Sequence, residues 1–106
     1  MCIVPRRGAG DDILLSEDRN PNGNGARLIL PSSSEPGAKL MAIADAVNSG
    51  QIKALIILKE NAMHLGLSVE QLANLRALIV MNMLPNEATG IASVILPACG
   101  FAEKRG

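Results

Sequence analysis

Polar side chains that could hold a ligand follow two of the apolar runs in this sequence. They are Lys59, Glu60 and Asn61 after the first run, and Asn82 and Glu87 after the second. Amine, carboxylate and amide groups can bind a phosphate or the polar edge of a nucleic-acid base. If both runs are parallel strands of one sheet, their carboxyl ends share an edge, where ligands usually bind. These five residues are therefore the weak candidates for a ligand site.

Residues suited to covalent, acid–base or metal chemistry are few. The chain has one histidine, His64, and two cysteines near opposite ends, Cys2 and Cys99. A structural zinc site takes about four Cys or His ligands, and a general base needs a partner that positions it. We therefore predict no catalytic residue and no metal ligand. His64 is expected to be a surface or half-buried structural residue and Cys99 a small packing residue among apolar neighbours, with both thiols reduced.

A glycine pattern near the start, Gly8-Ala9-Gly10, resembles the opening of a phosphate-binding loop. It lacks the third glycine of the dinucleotide-binding fingerprint, and no strong strand precedes it. Both features are needed for the loop to lie against a pyrophosphate. We interpret the pattern as turn chemistry.

Three apolar runs of strand length, at 54–58, 77–81 and 93–96, are the elements that would position the candidate site. Runs that are apolar throughout are typical of strands buried on both faces of a parallel sheet. Right-handed crossovers between them would leave their carboxyl ends on one edge.

Helical patterns separate these runs. An apolar stripe predicts a helix over 37–48 that ends at Gly50, a residue suited to a left-handed C-cap. Ser68 followed by Gln71 predicts a capping box opening a helix over 68–76. A shorter helix is expected to start at Asn86. The sequence thus predicts an α/β fold, a Rossmann-like three-layer fragment with a short parallel sheet in βαβαβ order.

Composition sets further bounds. The 106 residues, 48% of them hydrophobic, suit one compact domain, which we place at 34–106 after an irregular segment at 1–33. Ten basic and ten acidic residues give zero net charge, and only one residue is aromatic. This composition argues against binding to nucleic acid. No apolar run reaches the roughly 20 residues that cross a bilayer, so no membrane insertion is expected.

Three segments in order resemble motifs of the molybdopterin oxidoreductases. Residues 50–58 are similar to their G-x-I-K-A-L strand, and residues 79–89 to their V-V-Q-D-x-F-x-x-E-T segment. Residues 93–104 are similar to A-D-V-V-L-P-A-x-x-F-A-E-K. Each motif is weak alone, whereas the three at matching intervals form a strong joint signal over residues 50–106. Because the family continues beyond these motifs, the resemblance implies a domain truncated at its C-terminus.

The resemblance implies a specific role for the strand-end loops. In catalytic members of the family, a domain of this type holds one guanosine half of a pterin dinucleotide, while the metal ligand and iron–sulfur cysteines lie elsewhere. The family commonly has glycine where Lys59 stands and aspartate where Asn82 stands. Both departures favour the branch of the large iron–sulfur subunit of NADH–quinone oxidoreductase, whose molybdopterin-like region resembles a structural relic.

Three functions follow as hypotheses. The first is a structural and interaction domain of that subunit, within an electron-transfer complex at the cytoplasmic face of the membrane. Its partners would be the remaining domains of the parent and other subunits of the complex. The second is the guanosine-side cofactor domain of a molybdenum or tungsten oxidoreductase such as a formate dehydrogenase. The third is an independent βαβ binder of small molecules.

The first two hypotheses assign the chemistry to a parent oxidoreductase. The parent would hold iron–sulfur clusters and, in the second hypothesis, molybdopterin guanine dinucleotide. This chain alone is expected to bind no cofactor and to be non-catalytic. Its strongly apolar third strand, Val94-Ile95-Leu96, also predicts exposed apolar surface and self-association when the chain is isolated.

Overall fold

A computed structural model describes residues 4, 6–11, 13–17, 19–20, 25, 28–29 and 39–104 of the chain. The chain divides into two compact units, Met1–Met41 and Ala42–Gly106. The predicted beginning of the first helix at residue 37, and Cys2, lie outside the described residues.

The described part of the first unit contains a folded-back loop. The amide of Arg19 donates to the carbonyl of Arg6 (2.7 Å), and the amide of Gly8 donates to that of Glu17 (3.1 Å). At its tip, one carboxylate oxygen of Asp11 accepts from the backbone amides of residues 13, 14 and 15, at 2.7 to 3.0 Å. These bonds hold the pKa of Asp11 below its usual range. The amides of residues 13 to 15 are thus bound by a carboxylate of the chain itself.

The second unit contains the predicted parallel sheet. Its strands are β1 (Ala54–Leu58), β2 (Ala77–Asn82) and β3 (Val94–Pro97), in the order β1-β2-β3. Both strand pairs are parallel, with Ile57 beside Val80 and Val80 beside Ile95. The α/β fold with βαβαβ order is confirmed, and each strand boundary lies within one residue of its prediction.

Helices and helical turns precede, connect and follow the strands. They are the α-helices α1 (Leu40–Asn48) and α2 (Val69–Ala73) and the 3-10 helices η1 (Ala62–Leu65), η2 (Glu87–Ile91) and η3 (Phe101–Glu103). The predicted helix over 68–76 ends early at Ala73. The helix ends there because the following residues already bond to the sheet: the Arg76 amide donates to the Lys53 carbonyl, just before β1 (2.8 Å).

Local chemistry fixes the helix ends as the sequence predicts. The hydroxyl of Ser68 accepts from the Gln71 amide (3.2 Å), and the Gln71 side-chain oxygen accepts from the Ser68 amide (2.7 Å). This reciprocal pair satisfies two amides that the helix leaves unpaired. Gly50 ends α1 with φ 70, a backbone conformation that glycine adopts without steric cost.

The core of the second unit lies on one face of the sheet. The largest fully buried side chains are Leu72 of α2 and Leu78 and Val80 of β2. Ala62 of η1 and Ala88 of η2 are also fully buried in this cluster. Both crossover connections therefore pack on the same face, and α1 joins them there through Val47. The described helices supply one layer, so the described residues form two of the three layers of a Rossmann-like sheet.

No described helix of the second unit packs on the other face of the sheet. Successive side chains of a strand point to opposite faces of the sheet. This face therefore carries the residues that alternate with the buried ones along each strand. They form two rows across the sheet, Ile56–Ile79–Val94 and Leu58–Met81–Leu96, which we call the open face. All six side chains are apolar, and the exposed fraction of Ile56 is 62%. The apolar runs predict burial on both faces, whereas the described structure buries one.

Candidate functional site

The candidate site lies where the strands end, as predicted. Lys59 follows β1 directly, and its amide donates to the carbonyl of Met81 (2.8 Å), which extends the ladder of β1 and β2 by one bond. Its φ is 54, so Lys59 is the one described non-glycine residue in the left-handed region. That conformation brings Cβ close to the following carbonyl and costs about 1–2 kcal/mol in an L-residue. The backbone here is of a type that glycine favours.

The Lys59 side chain reaches across the strand ends. Its Nζ donates to the carbonyl oxygen of Cys99 at 2.9 Å, in the loop after β3. Since β2 lies between β1 and β3, the lysine connects the two outer strands over the end of the central one. Its ammonium is therefore engaged with a backbone acceptor at this edge.

A second set of bonds joins the loops after β1 and β2. The side-chain amide of Asn61 donates to Oε2 of Glu87 (2.9 Å). The Asn61 side-chain oxygen also caps η1 by accepting from the Met63 amide (3.0 Å). In the loop after β2, the side-chain amide of Asn86 also donates to the backbone carbonyl of Glu60 in the loop after β1 (3.4 Å). The two loops are thus held together by side chains rather than open to each other.

The charge of Glu87 is stabilised by these surroundings. Its pKa lies below its usual range, first because its own backbone amide donates to the carboxylate, and then because of the Asn61 amide. The nearby His64 lowers the pKa of Glu87 further, while desolvation opposes these effects. Glu87 also stands in the first turn of η2, where a negative charge is favoured. Its position is explained by loop structure.

Asn82 ends β2, and its side-chain oxygen bonds to the next residue of the chain. Its side-chain oxygen accepts from the Met83 amide (2.9 Å), while its carbonyl accepts from the Ala98 amide (3.0 Å) after β3. An amide has one side-chain acceptor oxygen with two lone pairs, and the Met83 amide uses one of them. The residue offers no anionic acceptor to a guanine edge.

The structure thus assembles all five predicted site residues at one edge, in two groups. Lys59 and Asn82 lie at the strand ends, whereas Glu60, Asn61 and Glu87 lie in the connecting loops. Sequence reasoning missed two participants. The Cys99 carbonyl carries no residue-type signal. Thr89, however, completes a capping box with Asn86, and the spacing of an Asn and a hydroxyl residue three positions later could have revealed it.

No catalytic arrangement accompanies these bonds in the part of the chain that the structure describes. His64 is exposed. Cys99 is exposed as well, so the prediction that it packs among apolar neighbours is wrong. Over the same residues, no group of three or more His, Cys, Asp or Glu side chains could hold a metal ion. No helix within that range is long and apolar enough to cross a membrane.

A shallow cleft of about 280 Å³ lies at the opposite end of the strands. It is lined by polar side chains and the ends of two helices, namely Val47, Asn48, Gly50, Ile52, Lys53, Gln71, Asn74 and Arg76. Lys53 and Arg76 directly precede β1 and β2, and no basic residue lies in the last turn of α1 or α2.

Comparison with protein-family models, curated proteins and solved structures finds no match to this chain.

The left-handed backbone conformation of Lys59 predicts how substitutions at this position change the free energy of unfolding. Lys59→Gly and Lys59→Ala both remove the bond to Cys99, but only alanine retains a Cβ at φ 54. We expect the glycine variant to be more stable than the alanine variant by about 1 kcal/mol in urea unfolding. The same pair of substitutions at Lys53, where φ is not positive, serves as the control, and there alanine should be the more stable. An alanine variant at position 59 as stable as the glycine variant would contradict the assigned conformation.

The Asn61–Glu87 hydrogen bond predicts how the free energy of unfolding depends on pH. Because folding lowers the pKa of Glu87, the bond contributes stability above the usual glutamate pKa and loses it as pH falls through the folded value. Asn61→Asp keeps the η1 cap but replaces the donor with a negative charge, so the pKa of Glu87 should rise. Carboxyl NMR titration measures this pKa directly. His64→Gln, which removes the weakest cause, should raise it less. An unchanged Glu87 pKa in Asn61→Asp would show that the bond is absent.

Proposed function

We propose that this chain is a structural and interaction domain of a molybdopterin-oxidoreductase-like subunit of NADH–quinone oxidoreductase. In this proposal the domain binds no cofactor and performs no catalysis, and it contacts the remaining domains of its parent and other subunits of the complex. The parent, an oxidoreductase, would hold the iron–sulfur clusters at the cytoplasmic face of the membrane. The three sequence motifs support the family, and the strand-end geometry supports the structural role.

The observation that carries the structural role is the Lys59 bridge to Cys99. A guanosine at this edge would need open strand ends and a carboxylate for the guanine edge. Instead, Lys59 spans the strand ends and donates to the Cys99 carbonyl, while Asn82 supplies an uncharged amide in place of a carboxylate. The residues present therefore do not fit a guanine dinucleotide.

The backbone of Lys59 supports the resemblance itself. The family commonly has glycine at this position, and the residue here has the positive φ that favours glycine. A lysine in this conformation is consistent with a site whose backbone geometry persists after its glycine has been replaced. This supports descent from a ligand-binding loop together with loss of the ligand.

The alternative function is the guanosine-side cofactor domain of a molybdenum or tungsten oxidoreductase. One observation favours it: Lys59 is a cation at the strand ends, and rotation of its side chain away from Cys99 would present the ammonium to a phosphate. The same backbone would then lie close to the ligand. In that case Lys59 would bind the ligand rather than occupy the space that a ligand needs.

Calorimetric titration of the full chain with GDP separates the two functions. The structural role predicts no saturable binding below about 1 mM, because a charge-assisted acceptor is missing at Asn82, a loss of about 1.5–3 kcal/mol. Lys59→Gly combined with Asn82→Asp restores both family residues and should bind GDP more tightly than the natural chain. ADP serves as the control for base recognition. Low-micromolar GDP binding that is lost in Lys59→Ala would establish the cofactor-binding alternative.

A further inference from the structure

Two basic residues lie opposite each other where the sheet begins. Lys53 directly precedes β1, and Arg76 directly precedes β2. The register pairs Ala54 with Ala77, so Lys53 and Arg76 occupy the positions just before that pair, and the Arg76 amide donates to the Lys53 carbonyl (2.8 Å). Both residues line the shallow cleft at this end of the strands. Like charges at opposite positions of neighbouring strands repel, which destabilises the sheet unless an anion lies between them.

No negative charge within the described part of the chain offsets this pair. The residues that line the cleft include no aspartate and no glutamate. Lys53 and Arg76 are both exposed, and neither side chain has a hydrogen bond or an ion pair among the described residues. Lys59, at the other end of the strands, differs because its ammonium donates to the Cys99 carbonyl. The donors of Lys53 and Arg76 are therefore available to a ligand.

Uncharged donors lie beside the two cations. Asn48 ends α1 and Asn74 follows α2 as its C-cap, and both residues line the cleft. Each side-chain amide has two N–H donors. The helix carbonyls nearby are bound within the backbone, as the carbonyl of Val47 is by the Gly50 amide (3.0 Å). The cleft thus combines two positive charges with further donors and lacks a carboxylate.

We infer that this cleft binds a phosphate group between Lys53 and Arg76. The guanidinium of an arginine matches two oxygens of a phosphate, and the ammonium of a lysine adds a compact positive charge. A phosphate group carries about −1.5 to −2 charges near neutral pH, which two cations balance, whereas a carboxylate would leave one of them unbalanced. The volume of about 280 Å³ lies just below that of pockets for drug-sized ligands, roughly 300–1,000 Å³, and suits a small one.

This inference goes beyond the proposed function, because the cleft shares no residue with the loops around Lys59. Ion pairs in exposed positions are weakened by solvent. We therefore expect weak binding, with a dissociation constant on the order of 2 mM. A ligand at about ten times its dissociation constant raises the folding equilibrium constant about tenfold. Phosphate should consequently stabilise the folded chain by a measurable amount.

Three substitutions by glutamine separate the cleft from general effects of charge. Lys53→Gln and Arg76→Gln each remove one cation of the cleft. Lys104→Gln removes an exposed cation beyond η3 and is the matched control. Because Lys53 and Arg76 repel each other, both cleft variants should be at least as stable as the natural chain in the absence of phosphate. Loss of the phosphate effect in these variants is then distinguishable from failure to fold.

Urea unfolding of the full chain in about 20 mM sodium phosphate, against sodium chloride of the same ionic strength, tests the inference. We expect phosphate to raise the folding equilibrium constant about tenfold in the natural chain and in Lys104→Gln, but less than about twofold in Lys53→Gln and Arg76→Gln. Acetate at the same concentration should raise it less than about twofold in the natural chain. No effect of phosphate on the natural chain, equal effects on all four chains, or acetate as effective as phosphate would each overturn the inference.

Amide NMR titration of the natural chain locates the bound ion. Inorganic phosphate should shift the side-chain amide signals of Asn48 and Asn74 saturably, whereas saturable shifts confined to the loops around Lys59 would contradict the cleft. Tighter binding of glycerol phosphate would assign an organic phosphate as the ligand, and tighter binding of inorganic phosphate would assign the free ion. GDP binding that depends on Lys59 but not on Lys53 would refute the proposed function and leave this inference standing.

Discussion

Burial of Leu78 and Val80, on one face of the central strand, is the interaction on which the rest of the fold depends. These two side chains are 2% and 0% exposed and contact the cluster formed by both crossover connections. Each fully buried aliphatic side chain contributes roughly 1.5–3 kcal/mol. Because β2 pairs with both neighbours, its position also fixes their register. The loops at the strand ends are therefore placed by a packing constraint several residues away.

Two surfaces with different chemistry follow from that constraint. At the strand ends, polar side chains form hydrogen bonds within the chain: Lys59 donates to the Cys99 carbonyl, and Asn61 donates to Glu87. On the sheet, the residues that alternate with the buried ones remain uncovered and apolar. Several polar groups at the strand ends thus have partners within the chain, while the second unit leaves the apolar side chains on one sheet face uncovered by its own helices.

The sequence contained enough information for the sheet but not for its surroundings. The apolar runs predicted the strands to within one residue, and Ser68 with Gln71 predicted the capping box, because both signals are local. The Lys59–Cys99 bond joins residues 40 positions apart, and its acceptor is a backbone carbonyl, so no residue pattern announces it. The sequence also could not predict that the described residues bury only one face of the sheet. A strand that is apolar on both faces looks the same in sequence whether one face or both are covered.

Methyl-resolved NMR with a dissolved paramagnetic agent tests one-sided coverage of the sheet most directly. The agent relaxes methyl groups that lie on solvent-exposed surface and leaves buried methyl groups largely unaffected. The two-layer sheet predicts strong relaxation of the Ile56 and Val94 methyl groups and protection of those of Leu78 and Val80. Equal protection of Ile56 and Val80 would contradict it, because both faces of the sheet would then be covered.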